Sequence, residues 1–433
     1  MKTINVGICG LGTVGAGTAQ LLEKNASIIQ KRTGFPVKVT RAATIDPYEH
    51  LDIDFSGITV TNSVDDILND TEIDVVVELI GGDGLAKKII LEALDKGKSV
   101  VTANKALLAK HSEEVFTAAY NSPGFLGYEA SVGGGIPIIR SVKEGFSGDE
   151  IESFSGIING TANFILSSMS NENKDFATAL KEAQEKGYAE ADPTFDIEGI
   201  DTAHKVIILM ELAFNALFEF DQLHVEGISE IESCDIELAE SMGYAIKLLG
   251  MARNSQKGFE GKVHPALVKS DSMLANVQGA FNAISVYGNF VGHTMSYGAG
   301  AGSHPTASAV VGDIIDIGRR LSTLGGEQVP ALSVPLDQLS KQSILPIDET
   351  ESEYFVRFKL ANENDAQAIK DCFQIAGIAI KQISELKPFT EGSLTPFAIL
   401  TETVVERRIQ ALVKDVNNLP FINHPSKIIR VDS

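Results

Sequence analysis

Groups capable of chemistry concentrate in one stretch of this sequence. Between Glu190 and Asp201 five carboxylates precede Lys205, which stands at the edge of the apolar run Val206-Ile207-Ile208-Leu209-Met210. Asp201 and Lys205 are four residues apart, which on a helix puts them on one face about a turn apart, near enough to act on one small polar ligand. The same spacing also describes a surface ion pair below a first turn whose acids the helix dipole favours. If the stretch is a site, its business is proton transfer. A lysine amine in a closed, partly desolvated pocket can protonate an alkoxide and deprotonate an alcohol once its proton affinity is lowered toward neutrality. A carboxylate such as Asp201 would hold that amine but raise its proton affinity, so burial or a second cation such as Lys105 has to oppose it.

A proton-handling pair needs something to react with, and the first fifty residues supply a candidate. Thr3-Ile4-Asn5-Val6-Gly7-Ile8-Cys9 reads as a short strand, Gly10-Leu11-Gly12-Thr13-Val14-Gly15 as a turn, and Ala16 to Lys24 as a helix. A GxGxxG alone could be a plain loop, but between a strand and a helix it predicts a dinucleotide site. Gly10 would make the tight turn, Gly12 would admit the pyrophosphate, and Gly15 would let the helix pack on the strand. A second strand over 37–46 ends in Asp46, an acid suited to the ribose hydroxyls of NAD, whereas Arg41 would serve NADP only if it reached the same pocket. Ile73 to Ile80 reads as a buried strand and Ser99 to Thr102 as another, continuing the βα alternation of a parallel sheet. Ala103-Asn104-Lys105 follows at the strand end where ligands of such sheets bind, although Lys105 could also be a solvated loop lysine.

The connecting segments carry further polar groups. Ser131-Val132-Gly133-Gly134-Gly135-Ile136-Pro137 predicts a turn whose carbonyls face a site, with Glu129 beside it. A hard cation held by oxygen could sit there, although one carboxylate would make such a site weak or structural. Ser155 to Leu166 predicts a strand passing into a capped helix with small polar groups exposed at the junction. Ser296 to Val310 reads as a second Gly-rich loop, through Gly302, that either covers a cofactor or returns the chain beneath the first domain. Residues 326–349, with Pro330, Pro335 and Pro346, read as an extended linker. Beyond them, strands and helices in the order βαββαβ predict a ferredoxin-like module with no nucleophile, base or metal cluster of its own.

Composition narrows the function classes. At 433 residues and 44% hydrophobic content the chain can hold two or three domains with their own cores. A formal net charge of −22 opposes binding to nucleic acid or an anionic membrane. There is no apolar run of membrane-spanning length, and Met1-Lys2-Thr3 leads into a strand, not a signal-peptide core, so a cytoplasmic protein is expected. Cys9, Cys234 and Cys372 are too few and too far apart for a disulfide framework, and no histidine pair has the short spacing of a zinc motif. His264, before Pro265, reads as a packing histidine.

Taken together, the Gly10 loop, Asn104-Lys105, Glu129 to Arg140, Asn159-Gly160-Thr161-Ala162-Asn163 and above all GYAEADPTFDIEGIDTAHK resemble homoserine dehydrogenase over roughly the first 325 residues. The C-terminal module is similar to an ACT domain. The resemblance implies a Rossmann-like domain over 1–135, completed by part of 300–325, an α+β catalytic and dimerisation domain over 136–325, and an ACT-like regulatory domain over 350–433. It implies interconversion of L-homoserine and L-aspartate 4-semialdehyde with NAD or NADP, in threonine, methionine and isoleucine biosynthesis, by a homodimer or homotetramer. It further implies that Lys205 is the catalytic lysine and Asp201 its partner, that Glu190, Asp196 and Lys105 bind substrate, and that the C-terminal domain binds an amino-acid effector. Glu129, with carbonyls near Val132, Gly134 and Ile136, is similar to a monovalent cation (Na or K) site. The family often places an arginine after the second strand for a 2′-phosphate. Here Thr44-Ile45-Asp46 stands instead, which argues against exclusive use of NADP. Competing expectations are a dehydrogenase of another small amino or hydroxy acid, and a non-enzymatic nucleotide and amino-acid sensor.

Overall fold

The computed structural model describes residues 3–48, 50–322, 329–386 and 394–432. Met1, Lys2 and linker residues 326–328 lie outside that set. The chain divides into two units, one of residues 1–154, 204–220 and 283–342, the other of residues 155–203, 221–282 and 343–433.

The first unit is built on a parallel sheet of six strands, β1 (Ile4–Cys9), β2 (Val37–Ala43), β3 (Thr59–Thr61), β4 (Val75–Glu78), β5 (Ser99–Thr102) and β6 (Leu126–Gly127). Their order, 3-2-1-4-5-6, is that of the Rossmann fold. β4 and β5 are buried along their whole length, as expected of a sheet covered on both faces. The helix Thr13–Lys24 packs against the helix Ser303–Ser322, and both contribute to the core around Val6, Ile8, Val75 and Ile314. That second helix begins well before the expected loop ends, because Ser296 to Ala299 already belong to the strand Gly292–Ala299. Pro305 lies in its first turn, where a missing N–H costs nothing. Part of the expected linker also pairs: Ser340–Gln342 runs parallel to Ala216–Phe218, and Tyr128 Oη donates to the Ala331 carbonyl at 2.7 Å.

The second unit centres on an antiparallel hairpin, Tyr244–Ser255 against Gly258–Lys269, in unbroken register over twelve pairs. The outer side of Gly258–Lys269 receives three separate segments in parallel: Ile344 beside Phe259, His224–Val225 beside Lys262–Val263, and Arg430–Val431 beside Ala266–Leu267. The last of these is the final strand of the C-terminal module, whose four antiparallel strands run in the order Lys427–Val431, Tyr354–Leu360, Thr395–Thr401, Ile380–Glu385. Helices Glu363–Ile375 and Glu406–Asn417 pack on one face, around Phe358, Phe373, Phe397 and Ile409, which is the expected ferredoxin-like arrangement. On the other face Arg357 reaches Asp235 of the helix Ser233–Ser241 at 2.8 Å. Among the described residues, no helix is long and apolar enough to cross a membrane.

Candidate functional site

The nucleotide loop separates its three glycines by role. Gly10 has φ +99°, and a Cβ there would lie 2.8 Å from the Leu79 carbonyl; one on Gly15 would lie 1.9 Å from the Gly10 carbonyl. Both positions need glycine for the protein to pack against itself. A Cβ on Gly12, by contrast, would meet nothing within 4 Å, so only a ligand's approach would require its absence. The helix that starts at Thr13 has no side-chain cap and no acid in its first turn, leaving its N–H groups to an anion. Leu11 is buried, whereas Thr13 is exposed and Val14 partly so. Gly302, at φ +114°, lies on the same side, since Ser303 Oγ donates to the Thr13 carbonyl at 2.7 Å. Asp46 is exposed three residues past β2, its N–H donating to Thr44 Oγ1. Arg41 stays inside β2 and is bound to Asp70, away from the strand end.

Lys105 is set by a network that sequence reading passed over. Glu78, fully buried at the end of β4, accepts the Ile80 and Gly81 N–H groups at 2.9 Å and the Thr102 hydroxyl at 2.6 Å. Thr102 Oγ1 in turn accepts the Asn104 N–H, while Asn104 Nδ2 donates to the Gly82 carbonyl and its Oδ1 caps the helix Lys105–Lys110 at Leu107. Lys105 is the first residue of that helix. An acid closing a Val-Val-Val run reads as a strand end, so only its partners, supplied from 24 residues away, reveal the brace.

In the second unit one amide joins two of the predicted acids. Asn159 caps the helix Gly160–Glu172 by accepting the Ala162 N–H at 2.8 Å, and its Nδ2 donates to Asp196 at 2.7 Å and to Asp201 at 2.9 Å. Two carboxylates held by one amide nitrogen form a compact anionic corner suited to an ammonium group. The junction is not exposed as expected: Asn159 is 4% exposed, and Thr161 and Asn163 are buried, because each finds partners in returning loops. Thr161 donates to the Tyr188 carbonyl, and Asn163 Nδ2 lies within bonding distance of the carbonyls of Val277, Gly279 and Phe281. Glu190 is not brought into this corner by any bond of its own carboxylate; it is exposed, and its carbonyl accepts Gln184 Nε2.

Helix Ile200–Phe214 carries Asp201 in its first turn and Lys205 one turn on, 5% and 7% exposed. This is not a solvated ion pair. Further along, Glu211 accepts Ser112 Oγ at 2.7 Å and is wholly buried; burial raises its carboxyl to about 8. His264 is buried in the long hairpin, as a packing residue would be.

Glu129 is buried, and its two oxygens accept the N–H groups of Ile139 and Arg140 at 2.8 and 2.9 Å. Burial and then the neighbouring Asp313 push its carboxyl up to about 7. The loop beside it bends through Gly133 and Gly134, at φ +73° and +55°, and the Ile136 carbonyl accepts the Ile138 N–H. Among the described residues no group of three His, Cys, Asp or Glu side chains could hold a metal, so any ion here would depend on backbone carbonyls.

With this geometry in place, the comparisons with known proteins are consistent along the chain. The family described as homoserine dehydrogenase matches residues 137–315, and that described as homoserine dehydrogenase, NAD binding domain, matches residues 10–125. The chain is 44% identical to a homoserine dehydrogenase of Pseudomonas aeruginosa and 42% identical to one of Neisseria gonorrhoeae, in each case over 100% of this chain and 99% of the other. A solved homoserine dehydrogenase of Thiobacillus denitrificans matches with a TM-score of 0.93 at 42% identity, covering 100% of this chain and 99% of that one.

Proposed function

This chain belongs to the homoserine dehydrogenase family, and from that premise we propose how its own residues carry the reaction. The activity is NAD(P)-dependent interconversion of L-homoserine and L-aspartate 4-semialdehyde by hydride transfer. When bound, the nicotinamide supplies or accepts the hydride. Gly10, Leu11, Gly12, Thr13, Val14 and Gly15 receive its pyrophosphate at the uncapped helix, with Gly302 beside them and Asp46 on the ribose.

Lys205 moves the proton. It donates to the oxygen of the semialdehyde as that oxygen gains charge, and in the other direction takes the proton from the alcohol. Asp201 holds the lysine and belongs, with Asp196, to the corner that takes the substrate ammonium; Glu190 adds a third carboxylate from the exposed loop. Lys105 meets the substrate carboxylate or the reacting oxygen, braced by Glu78 and Asn104. The observation that carries the assignment is the Asn159 bridge between Asp196 and Asp201, on the helix that also bears Lys205. Replacing Lys205 by alanine is expected to lower kcat at least about a hundredfold with cofactor affinity retained. Near-normal turnover would remove the lysine from the mechanism.

NAD is preferred to NADP, because Arg41 is committed to Asp70. Glu129 and the carbonyls of Val132, Gly134 and Ile136 would together offer oxygen donors to a Na or K ion. The protein is a cytoplasmic homodimer or homotetramer, and its C-terminal module takes an amino-acid effector.

A further inference from the structure

The C-terminal module meets the rest of the second unit at a buried arginine that the mechanism does not use. Arg430, 2% exposed, lies on the strand that joins the module's sheet to the long hairpin, opposite Ala266 on one side and Tyr354 on the other. Its guanidinium grips Glu406 with two prongs, Nε to Oε2 at 2.8 Å and Nη2 to Oε1 at 2.7 Å. Nη2 also reaches Glu226 at 2.9 Å. Glu406 belongs to the module, where it further accepts the Tyr354 hydroxyl and Gln410. Glu226 does not; it lies beside the long hairpin, its N–H donating to the Val263 carbonyl and its carboxylate meeting His224 at 2.7 Å.

Immediately after Glu226 the chain presses against the acidic turn. A Cβ on Gly227 would stand 2.4 Å from the Ile197 carbonyl and 2.5 Å from Glu198 Oε2, so the two backbones touch with no room for a side chain. The Ile228 N–H then donates to that same Ile197 carbonyl at 2.8 Å. Ile197 directly follows Asp196, and Gly199, at φ +79° and with its own Cβ position 3.3 Å from the Glu226 carbonyl, ends two residues before Asp201. The turn between the two bridged acids therefore rests on the Glu226–Ile228 segment.

We propose that Glu226, clamped by Arg430, is a positioning residue for the Asp196 and Asp201 corner, so that the C-terminal module sets substrate affinity through this contact. The proposal rests on the reading of that corner as the substrate site. Arg430 itself makes a poor test, since removing it takes the bidentate cation from the buried Glu406 carboxylate and endangers folding. Glu226→Gln retains shape and the Arg430–Glu406 pair while weakening the clamp, and Gly227→Ala displaces the turn directly. In the enzyme both variants are expected to raise KM for homoserine about tenfold and to leave KM for the cofactor within twofold; Glu226→Gln should keep the thermal midpoint within a few degrees, whereas Gly227→Ala, whose Cβ meets backbone, should lower it. An unchanged homoserine KM in both would overturn the proposal. So would parallel losses in both KM values together with a lowered midpoint, which would mark a general structural role. Asp196→Asn separates the two readings: if it leaves homoserine KM unaltered, the corner is not the substrate site, whatever Glu226→Gln does.

Discussion

Asn159→Ser isolates the contribution of the acid bridge. Serine at an N-cap accepts a backbone N–H about as well as asparagine, so the helix Gly160–Glu172 keeps its cap. What disappears is the amide nitrogen that donates to Asp196 and Asp201. A hydrogen bond to a charged group contributes about 1.5–3 kcal/mol. Asp196 is partly exposed, so water can replace its bond, but Asp201 is 5% exposed and cannot be served so easily. One such bond, at about 2 kcal/mol, corresponds to roughly thirtyfold in rate. Initial rates of NAD(P)H formation with varied homoserine should therefore give a kcat/KM about thirtyfold below the parent, while fluorescence titration gives an unchanged cofactor Kd. Asn159→Asp keeps the cap as well, but sets a third carboxylate between the other two, and should lose more. A serine variant within threefold of the parent, or one whose cofactor affinity falls in step, would refute the reasoning.

Three further outcomes are expected from other parts of the molecule. Glu211 titrates at about 8 in the folded chain and near 4.5 when unfolded, so between those values the folded chain keeps a proton that the unfolded chain has lost. Stability conferred by the neutral carboxyl therefore declines as pH rises through that window, by at most about 1.4 kcal/mol per unit; Glu211→Gln should match the parent near pH 5 and exceed it in thermal midpoint near pH 8, and a constant offset would contradict the assignment. Gly12→Ala should fold with an unchanged midpoint yet bind cofactor about tenfold or more weakly, whereas Gly15→Ala should fail to accumulate as soluble protein; normal cofactor binding by Gly12→Ala would exclude close approach of the pyrophosphate there. Steady-state assays should favour NAD over NADP by about tenfold in kcat/KM, with Asp46→Ser narrowing the ratio; an NADP-preferring parent would require a phosphate ligand other than Arg41.

The parts legible from sequence were those fixed by neighbours in the chain. Gly10 to Gly15 declared a nucleotide loop because its strand, turn and helix are contiguous, and the C-terminal strands and helices declared themselves by periodicity. Asp201 and Lys205 could be placed one turn apart because they share a helix. Asn159 could be read as a cap, but not as the bridge between acids 37 and 42 residues further on, since nothing local marks an amide's second role. Glu78 was hidden for the same reason. The segment from Ser296 misled because its glycines suggested a loop, whereas strand pairing overrode the local preference up to Ala299.

The strand Gly258–Lys269 has an outer side completed in pieces by Ile344, His224–Val225 and Arg430–Val431. Exposed strand edges invite other chains to add to them, and natural sheets guard them with short covers. Here one of the three covers belongs to the last strand of the C-terminal module. A chain cut before that module would leave the backbone N–H and C=O groups of Ala266 and Leu267 facing outward in a buried apolar strand. Shortened versions of this protein would then be selected for a replacement cover, by a second copy or by charge on the bared edge, before any question of catalysis arose. The module thus also covers a strand edge that would otherwise be open to another chain.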